Sequence, residues 1–368
     1  MSDGTPGDPG GPGGGKAETA PTPAAPEASG APRAYSAGAA AAPPHAAGVE
    51  GSQQALQGAG GSRQAAPQVF PGGEGSAPAG PARRGGRARD AGDGPILSVE
   101  GLSFSHGTGV RVVSDLTLGF RPGRHYVLAG PNGAGKSTVL DLLSRLRNPE
   151  SGRVLVFGKD SAEYPPAELA RALARAPQHF QFNFSFTVRE IVSLGRRPYL
   201  GRWGRLSQED RDVVEGAIEF LNLGRLADKP VTALSGGEAQ RVVLARTLAQ
   251  ATPIILLDEP TASLDVAQAL DLMDRVRVLT RDEGALVVTV THDLHLAAVY
   301  ADEMVFMNGG RLVAAGPTRD TLNSELLLEV FEADAEVRQD AFSGGLSISF
   351  RHGGSGSGAS AGAGEGAA

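Results

Sequence analysis

Apolar residues recur along the chain in two periods, and the switches between them mark out the elements. Over residues 96–105, Leu97 and Val99, then Leu102 and Phe104, fall two apart, which predicts a strand. Residues 124–129 form a second apolar run. It feeds a glycine-rich turn and then a stripe of Val139, Leu142, Leu143 and Leu146 at helical spacing. Residues 153–157 predict a short strand. Residues 187–234 are helical in pattern: Thr187 with Glu190 makes a capping box, and Ser207 caps a longer helix through Val213, Ile218 and Leu221. Residues 253–257 predict a buried strand, Val266–Arg281 a helix stopping near Gly284, and 285–291 a valine-rich strand. Glu303–Asn308 and residues 311–315 flank Gly309-Gly310, a hairpin signal. Residues 167–175 carry helical propensity, with Leu169 and Leu173 four apart, yet they must deliver Gln178 to a site. Their second half is therefore predicted as a strand. Apolar strands alternating with helices predict an α/β fold, a mainly parallel sheet with helices on both faces.

Composition confines this fold to the middle of the chain. Residues 1–94 hold 22 Gly, 13 Pro and 23 Ala against one leucine, Leu56, and no isoleucine. Such a segment buries too little apolar surface to offset its ordering entropy, and a disordered leader is expected. Its basic cluster, Arg83, Arg84, Arg87 and Arg89, reads as a solvated linker rather than a lipid or RNA contact. Residues 353–368 are Gly, Ser and Ala with one acid, Glu365, and predict a disordered tail. Residues 95–352 remain, the size of one α/β domain with a helical insert over about 179–240.

The net charge of −7 argues against a dedicated nucleic-acid binder. The absence of cysteine excludes disulfides, thiolate nucleophiles and cysteine-held metal centres. The first residues show no basic n-region or apolar h-region, so no signal peptide is expected. Apolar runs such as 254–257 are far too short to span a bilayer, so action at a membrane would need a spanning partner.

The strongest chemical signal is Gly130-Pro131-Asn132-Gly133-Ala134-Gly135-Lys136-Ser137-Thr138, a G-x-x-x-x-G-K-[ST] phosphate loop between a strand and a helix. Its backbone N–H groups and the helix start would hold phosphate oxygens. Lys136 would reach the β- and γ-phosphates, and the Ser137 hydroxyl would ligate Mg²⁺. The strand at 254–257 ends in Asp258 and Glu259. Asp258 would hold the metal through water, and Glu259 would orient or deprotonate water. Ser235 and Glu238 form another capping box, and Gly236 and Gly237 leave the first N–H groups of that helix open as a second anion site. One phosphate loop with two anion sites suggests that two chains share nucleotides. His292 ends a further strand and could bond the γ-phosphate, whereas His295 reads as a surface residue. His45 and His352 suggest no function.

In this order and spacing the set resembles the ATP-binding cassette (ABC) ATPase family, over about residues 96–350. Residues 130–138 look like its Walker A motif, 234–240 its signature and 254–259 its Walker B; Ser263-Leu264-Asp265 looks like the D-loop, His292 the switch histidine and Gln178 the Q-loop glutamine. The resemblance implies a P-loop core with an N-terminal antiparallel β subdomain, ATP and Mg²⁺ as cofactors, and Gln178 as a third Mg²⁺ ligand beside Ser137 and Asp258 that senses the ion and a membrane partner. The family usually stacks an aromatic residue, often Tyr, on adenine about 25 residues before Walker A. Here His106 holds that place with less stacking area.

Residues 188–207 resemble the importers of iron–siderophores, haem and cobalamin. Tyr199 and Trp203 there either pack the insert or dock on a partner's coupling helix. Phe180, Phe182, Phe184 and Phe186 either close the insert's core or line a docking groove. The resemblance implies a homodimer on two transmembrane permease subunits at the cytoplasmic face, fed by a substrate-binding protein, with no nucleic acid. The ATPase of an exporter or lipid-extraction machine, and a soluble ATPase acting on nucleic acid or ribosomes, are the alternatives.

Overall fold

The computed structural model describes residues 94–107, 109–178, 180, 185–200 and 204–351. The expectations for the leader before residue 94, the tail, His352, Phe182, Phe184 and Trp203 lie outside the described residues. The chain begins with β1 (Leu97–Ser105), β2 (Arg111–Phe120), β3 (His125–Ala129), α1 (Lys136–Leu143), β4 (Ser151–Val156) and β5 (Lys159–Asp160). Next come α2 (Pro166–Ala172), β6 (Leu173–Ala176), α3 (Val188–Ser193), α4 (Gln208–Phe220), α5 (Gly236–Leu248) and β7 (Ile254–Asp258). The remainder is α6 (Val266–Arg281), β8 (Leu286–Val290), α7 (Leu294–Tyr300), β9 (Glu303–Asn308), β10 (Arg311–Pro317), α8 (Thr318–Thr321), α9 (Ser324–Phe331), β11 (Ala335–Gln339) and β12 (Leu346–Phe350).

Six strands form the central sheet in the order β10-β9-β3-β8-β7-β6, parallel except for β10, which returns from the Gly309-Gly310 hairpin. Every residue of β3, β7 and β8 is buried, as expected of strands covered on both faces. A second, antiparallel sheet runs β2-β1-β4-β5. Leu97, Leu102 and Phe120 from that sheet share one core with Leu140 and Leu143 of α1 and with Leu256 and Val288 of the central sheet. The phosphate-loop helix is thus packed between the two sheets. The segment 187–234 is broken into α3, α4 and short 3-10 turns, and it packs through Val188, Ile191 and Ile218 on Val243 and Leu244 of α5. The predicted capping box of Thr187 with Glu190 is formed, and Ser207 caps α4 as expected, making a second box with Asp210.

Two boundaries differ from the pattern. Helix α1 ends at Leu143 because Arg145 enters the left-handed region, where its N–H bonds Leu142 O at 3.0 Å and the Leu146 N–H bonds Asp141 O at 2.8 Å, closing the helix end. Leu146 therefore leaves the predicted stripe and is 72% exposed. Strand β4 stops at Val156, and Phe157 takes a positive φ that starts the tight turn to β5. The ambiguous stretch resolves as expected, with α2 in its first half and β6 in its second. Among the described residues no helix is long and apolar enough to cross a membrane.

Candidate functional site

The topology brings the carboxyl ends of β6, β7, β8 and β3 side by side, the edge where parallel sheets gather ligands. The phosphate loop hangs from β3. Gly130 has φ +153°, and a Cβ there would lie 2.1 Å from the Met307 carbonyl oxygen of β9. Gly135 has φ +93°, and a Cβ there would lie 2.5 Å from the Val112 carbonyl oxygen of β2. Only glycine fits either place. Ala134 is buried, and its N–H closes the turn on Pro131 O at 3.2 Å. Asn132, Gly133 and Ser137 are exposed, and Thr138 is half-buried. Gly135 caps α1 with no side-chain hydrogen bond, so no side chain consumes the helix's first donors. That cradle fits phosphate. Lys136 is buried and donates to Gly130 O at 2.8 Å and Pro131 O at 2.9 Å. Burial pushes its ammonium pKa down, against the pull of Glu259 and Asp258.

Asp258, 4% exposed, ends β7. Its Oδ1 accepts from Ser137 Oγ at 3.1 Å and its Oδ2 from Arg175 Nη2 at 3.2 Å. Burial raises its pKa, while Ser137 and Arg175 hold it down. Among the described residues no group of three or more His, Cys, Asp or Glu side chains forms a metal cage. A hydroxyl and one carboxylate are nevertheless the donor set magnesium accepts when phosphates and waters complete its shell, so Ser137 and Asp258 fit that ion.

Glu259 follows at φ +47°, with its N–H on Val290 O at 2.9 Å. Its two oxygens are divided between neighbouring strand ends: Oε2 accepts from Gln178 Nε2 at 2.6 Å, and Oε1 lies 2.5 Å from His292 Nε2. Gln178, Glu259 and His292 are thus one hydrogen-bonded set, with Ser137 and Asp258 beside it.

The remaining predicted residues stand apart from that set. His106 is exposed at the β1–β2 turn, its ring edge-on to Phe104 at 5.3 Å between centroids. Ser235 caps α5, with its N–H and hydroxyl each 2.9 Å from Glu238 Oε2. Asp265 caps α6: one oxygen accepts from the Gln268 N–H at 2.8 Å and the other from Gln268 Nε2 at 2.8 Å. A Cβ on Gly237 would lie 2.8 Å from Gln268 Oε1, so the signature turn and the start of α6 adjoin, whereas Gly236 faces open space. Sequence reasoning missed Arg175. A charged residue inside the otherwise apolar strand Leu173-Ala174-Arg175-Ala176 was the available signal, because such a residue is seldom buried unpaired.

Comparison with known proteins places this geometry. A family model described as "ABC transporter" matches residues 113–262. The haemin import ATP-binding protein HmuV of Rhodococcus jostii is 42% identical over 254 residues, covering 68% of this chain and 85% of that protein. The chain belongs to the ABC transporter family. This cassette is also 41% identical over 253 residues to the cobalamin import ATP-binding protein BtuD of Halobacterium salinarum, covering 69% of the chain but only 63% of that relative's length. Among solved structures, an inward-facing ABC transporter of metal-chelate type matches with a TM-score of 0.61 and 30% identity, covering 70% of this chain and 96% of that one. The dimeric cassette MJ0796 matches with a TM-score of 0.55 and 28% identity, covering 61% and 99%.

Proposed function

We propose that this cassette is the ATPase subunit of a membrane importer, working as a homodimer on two membrane-spanning permease subunits at the cytoplasmic face. Its cargo, delivered by a separate substrate-binding protein, is an iron–siderophore complex or a related metal chelate such as haem or cobalamin. The observation that carries the ATPase reading is Glu259, held between Gln178 and His292 at the strand ends beside the phosphate loop.

In this reading Lys136 exchanges the Gly130 and Pro131 carbonyls for β- and γ-phosphate oxygens. The loop N–H groups from Gly133 to Thr138 hold the remaining phosphate oxygens. Ser137 and Asp258 hold Mg²⁺, which when bound neutralises phosphate charge and polarises the γ-phosphoryl group. Glu259 orients a water for in-line attack and takes its proton as the bond to the β–γ bridging oxygen breaks, giving ADP and phosphate. His292 donates a hydrogen bond on the γ-phosphate side, and Gln178 reports nucleotide state toward the membrane partner. Ser235, Gly236 and Gly237 meet the nucleotide of the second chain, with Asp265 at the same edge, and His106 faces adenine. The dimeric MJ0796 cassette supports two-chain assembly. The importer direction is supported by the haemin and cobalamin import relatives and by the metal-chelate transporter structure.

Deleting the gene and measuring uptake of labelled ferric siderophore, haem and cobalamin tests the cargo. Loss of uptake, ferric siderophore first, is expected. Unchanged uptake of all three overturns the importer reading.

A further inference from the structure

Four side chains close a ring around the first turns of α1. Ser137 and Asp141 are four residues apart on that helix and so share a face. Asp258 comes from β7 and Arg175 from the neighbouring strand β6, where its register partner is Leu256. Ser137 Oγ donates to Asp258 Oδ1 at 3.1 Å, Arg175 Nη2 to Asp258 Oδ2 at 3.2 Å, and Arg175 Nη1 to Asp141 Oδ1. Arg147 Nε holds the other Asp141 oxygen at 2.8 Å. The Arg175 and Asp141 side chains are each 15% exposed. Buried Arg175 Nε makes no hydrogen bond, so the Nη contacts alone aim the guanidinium.

We infer that Arg175 is a positioning residue for the divalent cation. The inference rests on reading Ser137 and Asp258 as the magnesium-side pair. A carboxylate anchored through one oxygen can rotate about its χ angles. Asp258 is anchored through both, and the planar fork of arginine does this where a point charge would not. With Oδ2 held by Arg175, Oδ1 stays beside the Ser137 hydroxyl, and the two oxygens face one site. Asp141, itself held by Arg147, fixes the guanidinium from its other side.

Geometry and charge act in opposite directions, which makes the inference testable. A guanidinium beside a metal carboxylate weakens cation binding by repulsion. If charge governed, removing it would strengthen binding; if positioning governs, removing it weakens binding. The full chain is titrated with the non-hydrolysable analogue AMP-PNP, first in EDTA and then across a Mg²⁺ series, without reading turnover. Arg175→Met should raise the half-saturating Mg²⁺ concentration about tenfold, the scale seen when partners of metal ligands are removed. Affinity in EDTA should stay within about twofold of wild type, since phosphate contacts are untouched. Arg175→Lys should rescue only part of the shift, and Asp141→Asn should give a smaller shift in the same direction. An unchanged or lowered half-saturation in Arg175→Met overturns the inference, as does an equal loss in EDTA and in Mg²⁺. Should Arg175→Met fail to fold, unchanged half-saturation in both Arg175→Lys and Asp141→Asn overturns it. A wild-type chain that binds no AMP-PNP in either condition would remove the nucleotide reading itself, and this inference with it.

Discussion

Lowering the pH from 7.5 to 4.5 interrogates a single buried imidazole. His125 opens β3, the strand that carries the phosphate loop, and is 1% exposed. Its Nδ1 lies 3.2 Å from Tyr300 O and its Nε2 2.9 Å from Thr289 Oγ1. Burial holds its pKa at about 4 instead of 6.5; the Tyr300 carbonyl and Asp302 pull it upward, and Arg277 pushes it down. The folded pKa is thus depressed, and the folded state prefers the neutral ring. Between pH 6.5 and about 4 the unfolded chain binds a proton that the folded chain refuses, so stability falls as pH drops through that window and levels off below it. At about 1.4 kcal/mol per pH unit, the loss is about 3.5 kcal/mol when complete and about 2.5 kcal/mol by pH 4.5. Urea unfolding of wild type and His125→Asn at both pH values reads this directly, because carboxylates titrating in both chains cancel. At pH 7.5 the variant should be the less stable, since asparagine cannot reach both partners. By pH 4.5 the gap should shrink by about 2.5 kcal/mol or reverse. A difference that stays constant with pH refutes the argument.

Two further substitutions probe the frame around the site. Gly130→Ala drives a methyl group into the Met307 carbonyl, and backbone in a paired strand cannot yield. Thermal unfolding should show a loss of at least about 3 kcal/mol, with ATP binding weakened more than about tenfold. Arg196→Met removes the cation and the donor facing Asp210 Oδ1 at 2.8 Å, leaving a carboxylate held only through Oδ2 by Ser207, with both side chains under 10% exposed. It should cost about 3–5 kcal/mol in chemical denaturation, and adding Asp210→Asn should recover part of that.

What could be read in advance divides by range. Helix α6 begins and ends at the predicted Val266 and Arg281, because an N-cap aspartate and a following glycine are local signals. Strands β3, β7 and β8 announced themselves as short, mainly apolar runs. Strand β2 did not, since its outward face mixes Asp115, Thr117 and Gly119 with apolar neighbours, and the β11–β12 hairpin is mostly exposed. The site was legible as a set of motifs but not as a shape. Gln178, Glu259 and His292 meet because a parallel sheet sets distant strand ends together. Leu146 was misplaced because α1 ends on a left-handed arginine, Arg145, where a glycine is the usual signal. The carbonyls of Met307 and Val112 that demand Gly130 and Gly135 come from far along the chain. Arg175 stayed hidden for the same reason, because both of its carboxylate partners belong to other elements.

The central claim is that Glu259 takes the proton from water attacking ATP, and Glu259→Gln tests it most directly. The amide keeps the shape and can still meet Gln178 or His292, but it cannot accept that proton. ATPase rate and sedimentation are measured together with Mg-ATP, for wild type and variant. The account predicts that the variant binds ATP, sediments as a stable dimer, and turns over at least about a hundredfold more slowly, the usual contribution of a general base. Turnover near the wild-type rate would remove Glu259 from the chemistry and contradict the account.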